Sequence, residues 1–412
     1  MAMIALEDAL AVYARCVRPL PAVEVPVLDG LGRVLAAAAQ AQTDLPRFDQ
    51  SALDGYCFAT ADLATASDEH PVRLPIMQTI AASGHAARPV LARGTAARIF
   101  TGAMLPSGAD AMQAQERAQR DDDALLFTKP FPTGRNIRRQ AEELTKGTVL
   151  ADAGDRIGPG LLASLVNAEV ATVRVHRAPR VRVFVTGDEV RPAGTALKPG
   201  EIHDSNGPLI AALLRSHGID APPPMHLGDD PAQVRAALEQ ALAEADLVIT
   251  AGGASVGDKD FLPAAAESLG VQRLFWKVAQ KPAKPLFFGI REDDGGTQRL
   301  MMALPGNPGA VLISMVLHVR LVLDHLAGLK RPDLGWIHGV LDHPVERDDE
   351  RARLIRMRLR HDEHGVARLN PLPMQDSHML SNLGRADVLV WVEAGSGVVP
   401  AGAALRWIAL PE

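Results

Sequence analysis

The sequence contains only two cysteines, Cys16 and Cys57, in 412 residues. Two thiols are too few for a disulfide framework or a cysteine zinc site, so we interpret each as a small apolar packing residue. The chain must therefore be stabilised by its cores, and its 47% hydrophobic content is ample for several of them. A chain of this length ordinarily forms about three domains.

The sequence also lacks long apolar runs and an excess of positive charge. No uninterrupted run approaches the roughly 18 to 20 residues that span a bilayer, and the first residues, with Glu7 and Asp8, lack a signal-peptide pattern. We therefore expect a cytoplasmic protein without a membrane partner. The 43 Lys plus Arg against 49 Asp plus Glu give a net charge of −6, which disfavours a nucleic-acid partner. Any anionic substrate must then be held by a local cluster of basic groups.

The apolar pattern changes along the chain. Residues 6–17 and the alanine-rich residues 28–41 favour helices, and residues 160–167 favour another short helix. Residues 54–133 are β-rich and interrupted by glycine and proline, as expected for a small β domain inserted into a helical one. After residue 331, short apolar runs separated by turn residues predict a compact all-β terminal domain.

Strands and helices alternate from residue 179 onward. Residues 181–185 and 247–250 are predicted strands, and helices are predicted over 208–217 and after Pro231. This alternation predicts a mainly parallel sheet with helices on both faces. Ligands of such sheets bind beyond the carboxyl ends of the strands, where the polar turn at 186–189 falls.

A glycine-rich turn follows the second of these strands and is typical of an anion cradle. Gly252 and Gly253 let backbone N–H groups approach an oxyanion, and Ser255 adds a hydroxyl donor. Asp260 lies in the same loop, so basic side chains or a cation should sit nearby. Basic residues follow in the segment 276–285: Lys277, Lys281 and Lys284. The glycines alone are equally compatible with a tight strand-to-helix turn, and the lysines with a solvated strand edge.

Four further segments carry a resemblance to a known family. They are residues 48–56 (FDQSALDGY), 99–103 (IFTGA), 185–189 (VTGDE) and 304–308 (LPGNP). In order and spacing the chain resembles the MoeA family, the molybdopterin molybdenumtransferases that share their fold with the E domain of gephyrin. The resemblance implies an elongated subunit of four subdomains and a homodimer. We place a helical linking domain at 1–44 and 138–178, a β-rich insert at 45–137, a doubly wound molybdopterin-binding α/β domain at 179–328 and a C-terminal β domain at 329–412.

The resemblance also implies the reaction and its partners. Molybdenum from molybdate would enter adenylated molybdopterin in a step that depends on Mg²⁺, with release of AMP. The molybdopterin adenylyltransferase and other proteins of the cofactor pathway are possible partners. Because the implied site residues come from widely separated segments, we expect a two-fold dimer with sites between subunits.

Site residues carry over position by position. The implied catalytic residues are Asp54, Thr101, Glu189, Asp260, Lys277 and Lys281. The implied substrate-binding residues are Arg138, Gly252, Gly253, Ser255, Lys284, Pro305, Asn307, Arg353 and Ser377. Carboxylates at strand-end loops supply hard oxygen ligands for Mg²⁺, and the implied ones are Asp229, Asp260 and Glu189. Asp229 could equally cap a helix, Asp54 and Thr101 could serve turn chemistry, and the arginines of 351–360 cannot be ranked.

The sequence departs from the family pattern at three places. Ala283 stands where the family has glycine in Pro-Gly-Lys-Pro, residues 141–143 (AEE) replace Gly-Glu-Asp, and Ala310 replaces a hydroxyl residue. The methyl group of Ala283 is tolerable if that position needs no positive φ. Two other functions stay open: a non-catalytic scaffold of the gephyrin type, and a nicotinamide-dependent oxidoreductase. The oxidoreductase is disfavoured because no Gly-x-Gly-x-x-Gly fingerprint follows the first α/β strand.

Overall fold

The structure, a computed structural model, describes residues 3–83, 88–253 and 262–411. A six-stranded sheet lies at the centre of its α/β domain. Its strands in chain order are β1 Val181–Thr186, β2 Met225–Leu227, β3 Leu247–Ala251, β4 Gln272–Trp276, β5 Phe287–Glu292 and β6 Gln298–Leu304.

The order across this sheet is β2-β1-β3-β6-β5-β4. The pairs β1–β2, β1–β3 and β3–β6 are parallel, whereas β5 runs antiparallel to both β6 and β4. The prediction of a mainly parallel sheet is confirmed. Strand β5 is reversed because a tight turn, in which Gly296 donates to the carbonyl of Asp293, joins it to β6 without a crossover helix.

Helices cover both faces of the sheet. In chain order the α-helices of the described residues are α1 Leu6–Cys16, α2 Pro159–Asn167, α3 Asn206–Ser216, α4 Pro231–Glu244, α5 Leu262–Ser268 and α6 Pro308–Leu326. Alternate strand residues point to opposite faces. Val183 and Ile249 pack with α1, α3 and α6, while Phe184 and Val248 pack with α4 and α5. The predicted doubly wound arrangement is confirmed.

Helix α1 belongs to this core, although the domain boundaries predicted from the sequence place residues 1–44 in the linking domain. Its buried residues Leu6, Ala9 and Tyr13 recur at helical spacing and join the apolar core of the α/β sheet. The ring of Tyr13 stands edge-on to Phe288 with 4.9 Å between centroids. The helix itself was predicted correctly, whereas its packing against the α/β sheet is seen only in the structure.

Helix α6 is 19 residues long and apolar enough to cross a membrane by length and composition. The expectation concerned uninterrupted apolar runs, and α6 is longer than such a run because Arg320 and Asp324 interrupt it without ending the helix. However, 83% of the most apolar 18-residue stretch of this helix is buried inside the protein, as in the core helix of an α/β domain. One turn, Met315–Val319, is a π-helix.

The β-rich insert is built on a second six-stranded sheet. Its strands, in their order across the sheet, are Ala111–Ala114, Gly55–Phe58, Ala96–Ile99, Val72–Ile80, Ala124–Phe127 and Arg120–Asp121. A short pair, Gln50–Ser51 with Ile137–Arg138, lies at the point where the chain enters and leaves the insert. The β-rich character predicted for this region is confirmed.

The linking region is mixed rather than helical. It contains helix α2 and two small sheets, formed by Ala22–Pro26 with Thr172–His176 and by Ala39–Gln40 with Val149–Ala151. The helix predicted over residues 28–41 is wrong: a 3₁₀ turn and a strand replace it. Val34 and Leu35 are buried as isolated bridges to the other chain segment, and this burial overrides the helix propensity of the alanines.

The C-terminal domain is all β apart from one 3₁₀ turn, as predicted. Its main strands are Ile337–Leu341, Ala352–His361, Ala367–Pro371, Val388–Val392 and Ala404–Ala409, with a short pair, Val345–Glu346 and Val398–Val399. The five main strands close into a ring, because Ala352–His361 pairs with both Ala367–Pro371 and Val388–Val392. Strand Gln280–Lys281 of the α/β domain adds to this barrel alongside Ala352 and Arg353.

Candidate active site

A cavity of about 680 Å³ lies beyond the carboxyl ends of β1, β3 and β6. The turns after these three strands form its floor, and residues His378 and Leu380 of the C-terminal domain form part of its wall. Parallel strands bring their carboxyl ends to one edge, which is why turns distant in sequence meet here. A cavity therefore lies where the sequence pattern predicts a ligand site.

The glycine turn after β3 needs glycine at both described positions. Gly252 and Gly253 have φ values of +97° and +65°, which side chains rarely adopt. A Cβ on Gly252 would lie 2.5 Å from Oγ1 of Thr186 and 3.0 Å from its carbonyl oxygen. Both glycines line the cavity. Ser255 and Asp260, predicted in the same loop, lie outside the described residues.

Two predicted metal ligands also line the cavity. Glu189 follows β1 and Asp229 precedes α4, so both stand at the carboxyl edge of the sheet. The N–H of Asp229 donates to Oδ1 of Asp188 at 3.0 Å, whereas the helix is capped by Asp230, which accepts from Ala232. The capping alternative raised for Asp229 thus falls to its neighbour. Within 3–83, 88–253 and 262–411, no group of three or more His, Cys, Asp or Glu side chains could hold a metal alone.

Three predicted binding residues lie together at the N-terminus of α6: Pro305, Asn307 and Ser377. Pro305 and Asn307 line the cavity, and Nδ2 of Asn307 donates to Oγ of Ser377 at 2.8 Å. The N–H of Gly309 donates to the carbonyl of Ser377 at 2.8 Å. A terminal-domain serine is thereby held against the first turn of a helix of the α/β domain.

The arginine that organises this wall is Arg356, not Arg353. Arg356 is 3% exposed, and its guanidinium donates to the carbonyls of Met374, Asp376 and Met379 at 2.8 to 3.1 Å. Burial lowers the pKa of this guanidinium from its ordinary value. Arg353 instead donates to the carbonyl of Glu346 at 2.6 Å. Arginines occur on both faces of this strand, so the sequence alone does not show which of them is buried.

Asn206 is a cavity residue that is absent from the implied site residues. It opens α3, and its Nδ2 donates to the carbonyl of Gly306 at 2.7 Å. Its Oδ1 is buried and has no hydrogen-bond partner among the residues that the structure describes. The neighbouring Asp204 performs the capping, since its Oδ1 accepts from Gly207 at 2.8 Å. The bond to Gly306 orients the side-chain amide of Asn206, so its Oδ1 can accept a hydrogen bond from an N–H group of a ligand.

The three predicted lysines lie on one segment but in different surroundings. Lys277 has a φ of 118°, and its ammonium stands 5.5 Å from the ring centroid of Trp276. Lys281 is paired with Asp348 at 3.0 Å, and Nζ of Lys284 makes no hydrogen bond or ion pair with a described residue. Pro285 lines the cavity, whereas the described lining residues do not include the lysines.

Asp54 and Thr101 form a pair within the insert. The hydroxyl and the N–H of Thr101 both donate to Oδ1 of Asp54, at 2.7 and 2.8 Å. These bonds lower the pKa of the Asp54 carboxyl below its ordinary value. Arg138 is exposed on the strand that pairs with Gln50. The lining residues that the structure describes include none from the insert, so one subunit does not bring this pair to the cavity.

The three departures from the family pattern have different structural contexts. Ala283 and Ala141 adopt φ values of 68° and 62°, so both alanines stand where glycine is favoured. Ala310 is 2% exposed and packs in the apolar core of α6. A hydroxyl at position 310 would face this core, which argues against the interpretation of a donor missing from the cavity.

The fold and cavity define a class: a multidomain α/β protein with a ligand site at the carboxyl edge of a doubly wound sheet and a β-barrel domain at its wall. Family descriptions match three stretches: the MoeA N-terminal region (domain I and II) at residues 4–169, a probable molybdopterin binding domain at 182–325, and the MoeA C-terminal region (domain IV) at 338–410.

Curated relatives agree over nearly the whole chain. The chain is 32% identical over 374 residues to the molybdopterin molybdenumtransferase of Staphylococcus epidermidis, covering 91% of this chain and 88% of the relative. It is 32% identical over 395 residues to that of Bacillus subtilis, covering 94% and 90%. The crystal structure of the molybdopterin biosynthesis MoeA protein from Pyrococcus horikosii superimposes with a TM-score of 0.81 at 28% identity, with all of both chains covered.

The chain therefore belongs to the MoeA family of molybdopterin molybdenumtransferases. It is a transferase with a role in molybdenum cofactor biosynthesis.

Proposed function

We propose that this protein transfers molybdenum from molybdate into adenylated molybdopterin and releases AMP. The observation that carries the proposal is the cavity in which the turn at Gly252 and Gly253 opens beside Asn206 and Asn307. Backbone N–H groups at such a turn suit phosphate oxygens, and the Oδ1 of Asn206 suits a heterocyclic N–H. Family membership supports a molybdopterin ligand, and the cavity offers complementary groups for its two ends.

Molybdate would be held by the lysine segment and the terminal-domain serine. Lys277, Lys281 and Lys284 are compact positive charges, and the Asn307–Ser377 pair adds polar hydrogen-bonding groups. A tetrahedral oxyanion matches such a set because it accepts from several donors at once. Arg353, which donates to the carbonyl of Glu346, would contribute positive charge near Lys281 rather than a direct contact.

Mg²⁺ fits the described residues as a cation shared with the substrate. Glu189 and Asp229 both line the cavity and provide carboxylate oxygens. Mg²⁺ commonly uses one or two carboxylates together with substrate phosphates, so a complete protein cage is not required. These two residues would hold the ion, with Asp260 as a third proposed ligand. When bound, the ion neutralises charge that develops on the phosphates.

The pair Asp54–Thr101 would complete the site of a second copy of the chain, so the working unit is a homodimer in the cytoplasm. Apolar side chains on the linking region support this proposal, since Leu28, Leu31 and Val166 are 69%, 53% and 47% exposed. Leu28 lies in the 3₁₀ turn Val27–Gly30, Leu31 follows that turn and Val166 lies in α2, which contacts the turn. Arg138, exposed on the insert, would add charge to the shared site.

The proposal is tested by measuring AMP release from adenylated molybdopterin with and without molybdate. We expect release only when molybdate is present. Gly252→Ala should abolish it, because the new Cβ would meet Thr186 at 2.5 Å. Gly295→Ala is the matched control, since Gly295 lies in the β5–β6 turn at the opposite edge, where a Cβ would have no atom of a described residue within 4 Å. Binding of the substrate without AMP release would identify a non-catalytic scaffold instead.

A further inference from the structure

Three fully buried polar side chains form a hydrogen-bonded chain in the core of the α/β domain. The hydroxyl of Tyr13 lies 3.0 Å from Nδ1 of His318, and Nε2 of His318 lies 3.1 Å from Oε1 of Gln280. All three side chains are 0% exposed. They come from α1, the π-turn of α6 and the short strand that precedes the lysine turn, so the chain joins three separate elements.

The chemistry of the groups allows only one direction for this chain. Oε1 of Gln280 can only accept, so Nε2 of His318 carries the hydrogen and Nδ1 is left as the acceptor. The hydroxyl of Tyr13 then donates to Nδ1, and Nε2 of Gln280 donates onward to the carbonyl of Ala283 at 3.3 Å. Burial lowers the pKa of His318 to about 3, which keeps the ring neutral.

Stability does not explain why these side chains are polar. Replacing both partners of a buried hydrogen bond by apolar groups of similar shape is nearly neutral or stabilising. The surrounding core is apolar, with Phe275 and Phe288 against the ring of Tyr13. An apolar trio would therefore fill this space, but it could not bond to a backbone carbonyl. The bond to Ala283 is the part of the chain that packing alone cannot replace.

The chain ends inside the lysine turn, which we define as residues 281–284. Ala283 is 3% exposed with a φ of 68°, and it lies between Lys281 and Lys284. The N–H of Val278 donates to the carbonyl of Lys284 at 2.9 Å, which closes the turn from the other side. Gln280 therefore fixes the peptide between the two lysines, and His318 and Tyr13 fix Gln280.

We propose that Gln280, oriented by His318 and Tyr13, is a positioning residue that sets the lysine turn for oxyanion binding. This inference rests on the proposed function, in which the lysines hold molybdate. It explains why a π-turn occurs in the middle of α6, since that turn carries His318.

The test is Gln280→Met, which keeps the volume and removes both hydrogen bonds. We expect the KM for molybdate in AMP release to rise roughly tenfold, the effect of losing an oriented charged contact, with kcat changed much less. The melting temperature should fall, because Nε2–H of His318 and the carbonyl of Ala283 stay buried without their partner. Tyr13→Phe removes only the far end of the chain and should raise KM in the same direction by a smaller factor, which gives a second measurement if Gln280→Met folds poorly.

Ser314→Ala is the matched control. Its buried hydroxyl donates to the carbonyl of Ala310 at 2.8 Å in the same helix, one turn before His318, and does not reach the lysine turn. KM should be unchanged in this variant. The inference is overturned if KM for molybdate in folded Gln280→Met stays within about twofold of wild type, whatever the change in melting temperature. If wild-type protein shows no molybdate-dependent AMP release, the proposed function fails and not the positioning role.

Discussion

At the scale of single residues, the backbone is strained at three non-glycine positions, and the sequence does not reveal this strain. Lys277, Ala141 and Ala283 have φ values of 118°, 62° and 68°. Residues with side chains are disfavoured there by roughly 1 to 3 kcal/mol and persist only when their surroundings impose the conformation. The condition attached to Ala283, that its position should not need positive φ, is not met. Strain at Lys277 coincides with a residue of proposed function.

The strain at Lys277 predicts a difference between two substitutions that remove the same ammonium group. Lys277→Gly relieves the unfavourable φ, whereas Lys277→Ala keeps it. Both variants should lose molybdate-dependent AMP release to the same extent. The free energy of unfolding of the glycine variant should exceed that of the alanine variant by about 1 kcal/mol, measured by urea denaturation. Equal stabilities would mean that position 277 is not strained.

A second prediction concerns Ala141, where the resemblance leads us to expect glycine. Ala141→Gly should stabilise the protein by about 0.5 to 1 kcal/mol, because relief of the left-handed conformation exceeds the entropy lost by glycine on folding. The matched control is Ala243→Gly on the exposed face of α4, which should destabilise by about 1 kcal/mol. Loss of stability in both variants would contradict the argument.

At the scale of elements, one buried arginine holds a loop that carries residues of the proposed site. Residues 374–379 contain Ser377 and His378, and the loop lacks regular structure. Arg356 satisfies three of its carbonyls, and Gln375 returns a bond from Nε2 to the carbonyl of Arg356 at 2.8 Å. The barrel strand therefore positions the loop, and the loop positions Ser377 against Asn307.

Removing this support should affect folding and substrate affinity together. Arg356→Met leaves the three carbonyls without their charged donor and should cost about 2 to 3 kcal/mol of unfolding free energy. The KM for molybdate should rise because Ser377 is no longer held. Arg360→Met on the same strand, with its side chain exposed, is the control and should change neither quantity. A normal KM for molybdate in the Arg356 variant would show that the loop does not contribute to molybdate binding.

At the scale of the whole molecule, the parts of the proposed site are distributed over regions that one subunit does not bring together. Gly252 lines the cavity, whereas Asp54 and Thr101 are paired within the insert. A closed two-fold dimer would use each insert in the cavity of the other copy. Mixing two inactive variants can restore a site that is shared between subunits, whereas it cannot restore a site within one subunit.

Mixing two inactive variants should restore activity if the site is shared. Asp54→Ala and Gly252→Ala each disable a different half, so subunit exchange creates mixed dimers with one intact site and should return about a quarter of wild-type AMP release. The control mixture of Asp54→Ala with Thr101→Ala disables the same half twice and should stay inactive. Full activity from a monomer at micromolar concentration would refute the shared site.

Much of the fold follows from local sequence signals. Strands 181–185 and 247–250, the helix after Pro231 and the glycine turn were predicted because apolar periodicity, caps and positive-φ glycines act between near neighbours. The alanine-rich residues 28–41 were mispredicted because burial of Val34 and Leu35 against a distant segment outweighs local propensity.

The sequence by itself determined the order of the matched regions, the mainly parallel sheet, the family and the edge of the sheet at which the cavity lies, since these depend on patterns that neighbouring residues carry. Only the tertiary structure decided which residues meet there. Asn307 and Ser377 are 70 positions apart, and Tyr13 and His318 are 305 apart, yet each pair is within hydrogen-bond distance. Such contacts arise from packing between elements, which leaves no periodic trace in the chain. For the same reason the choice of Arg356 over Arg353 required the three carbonyls that surround it.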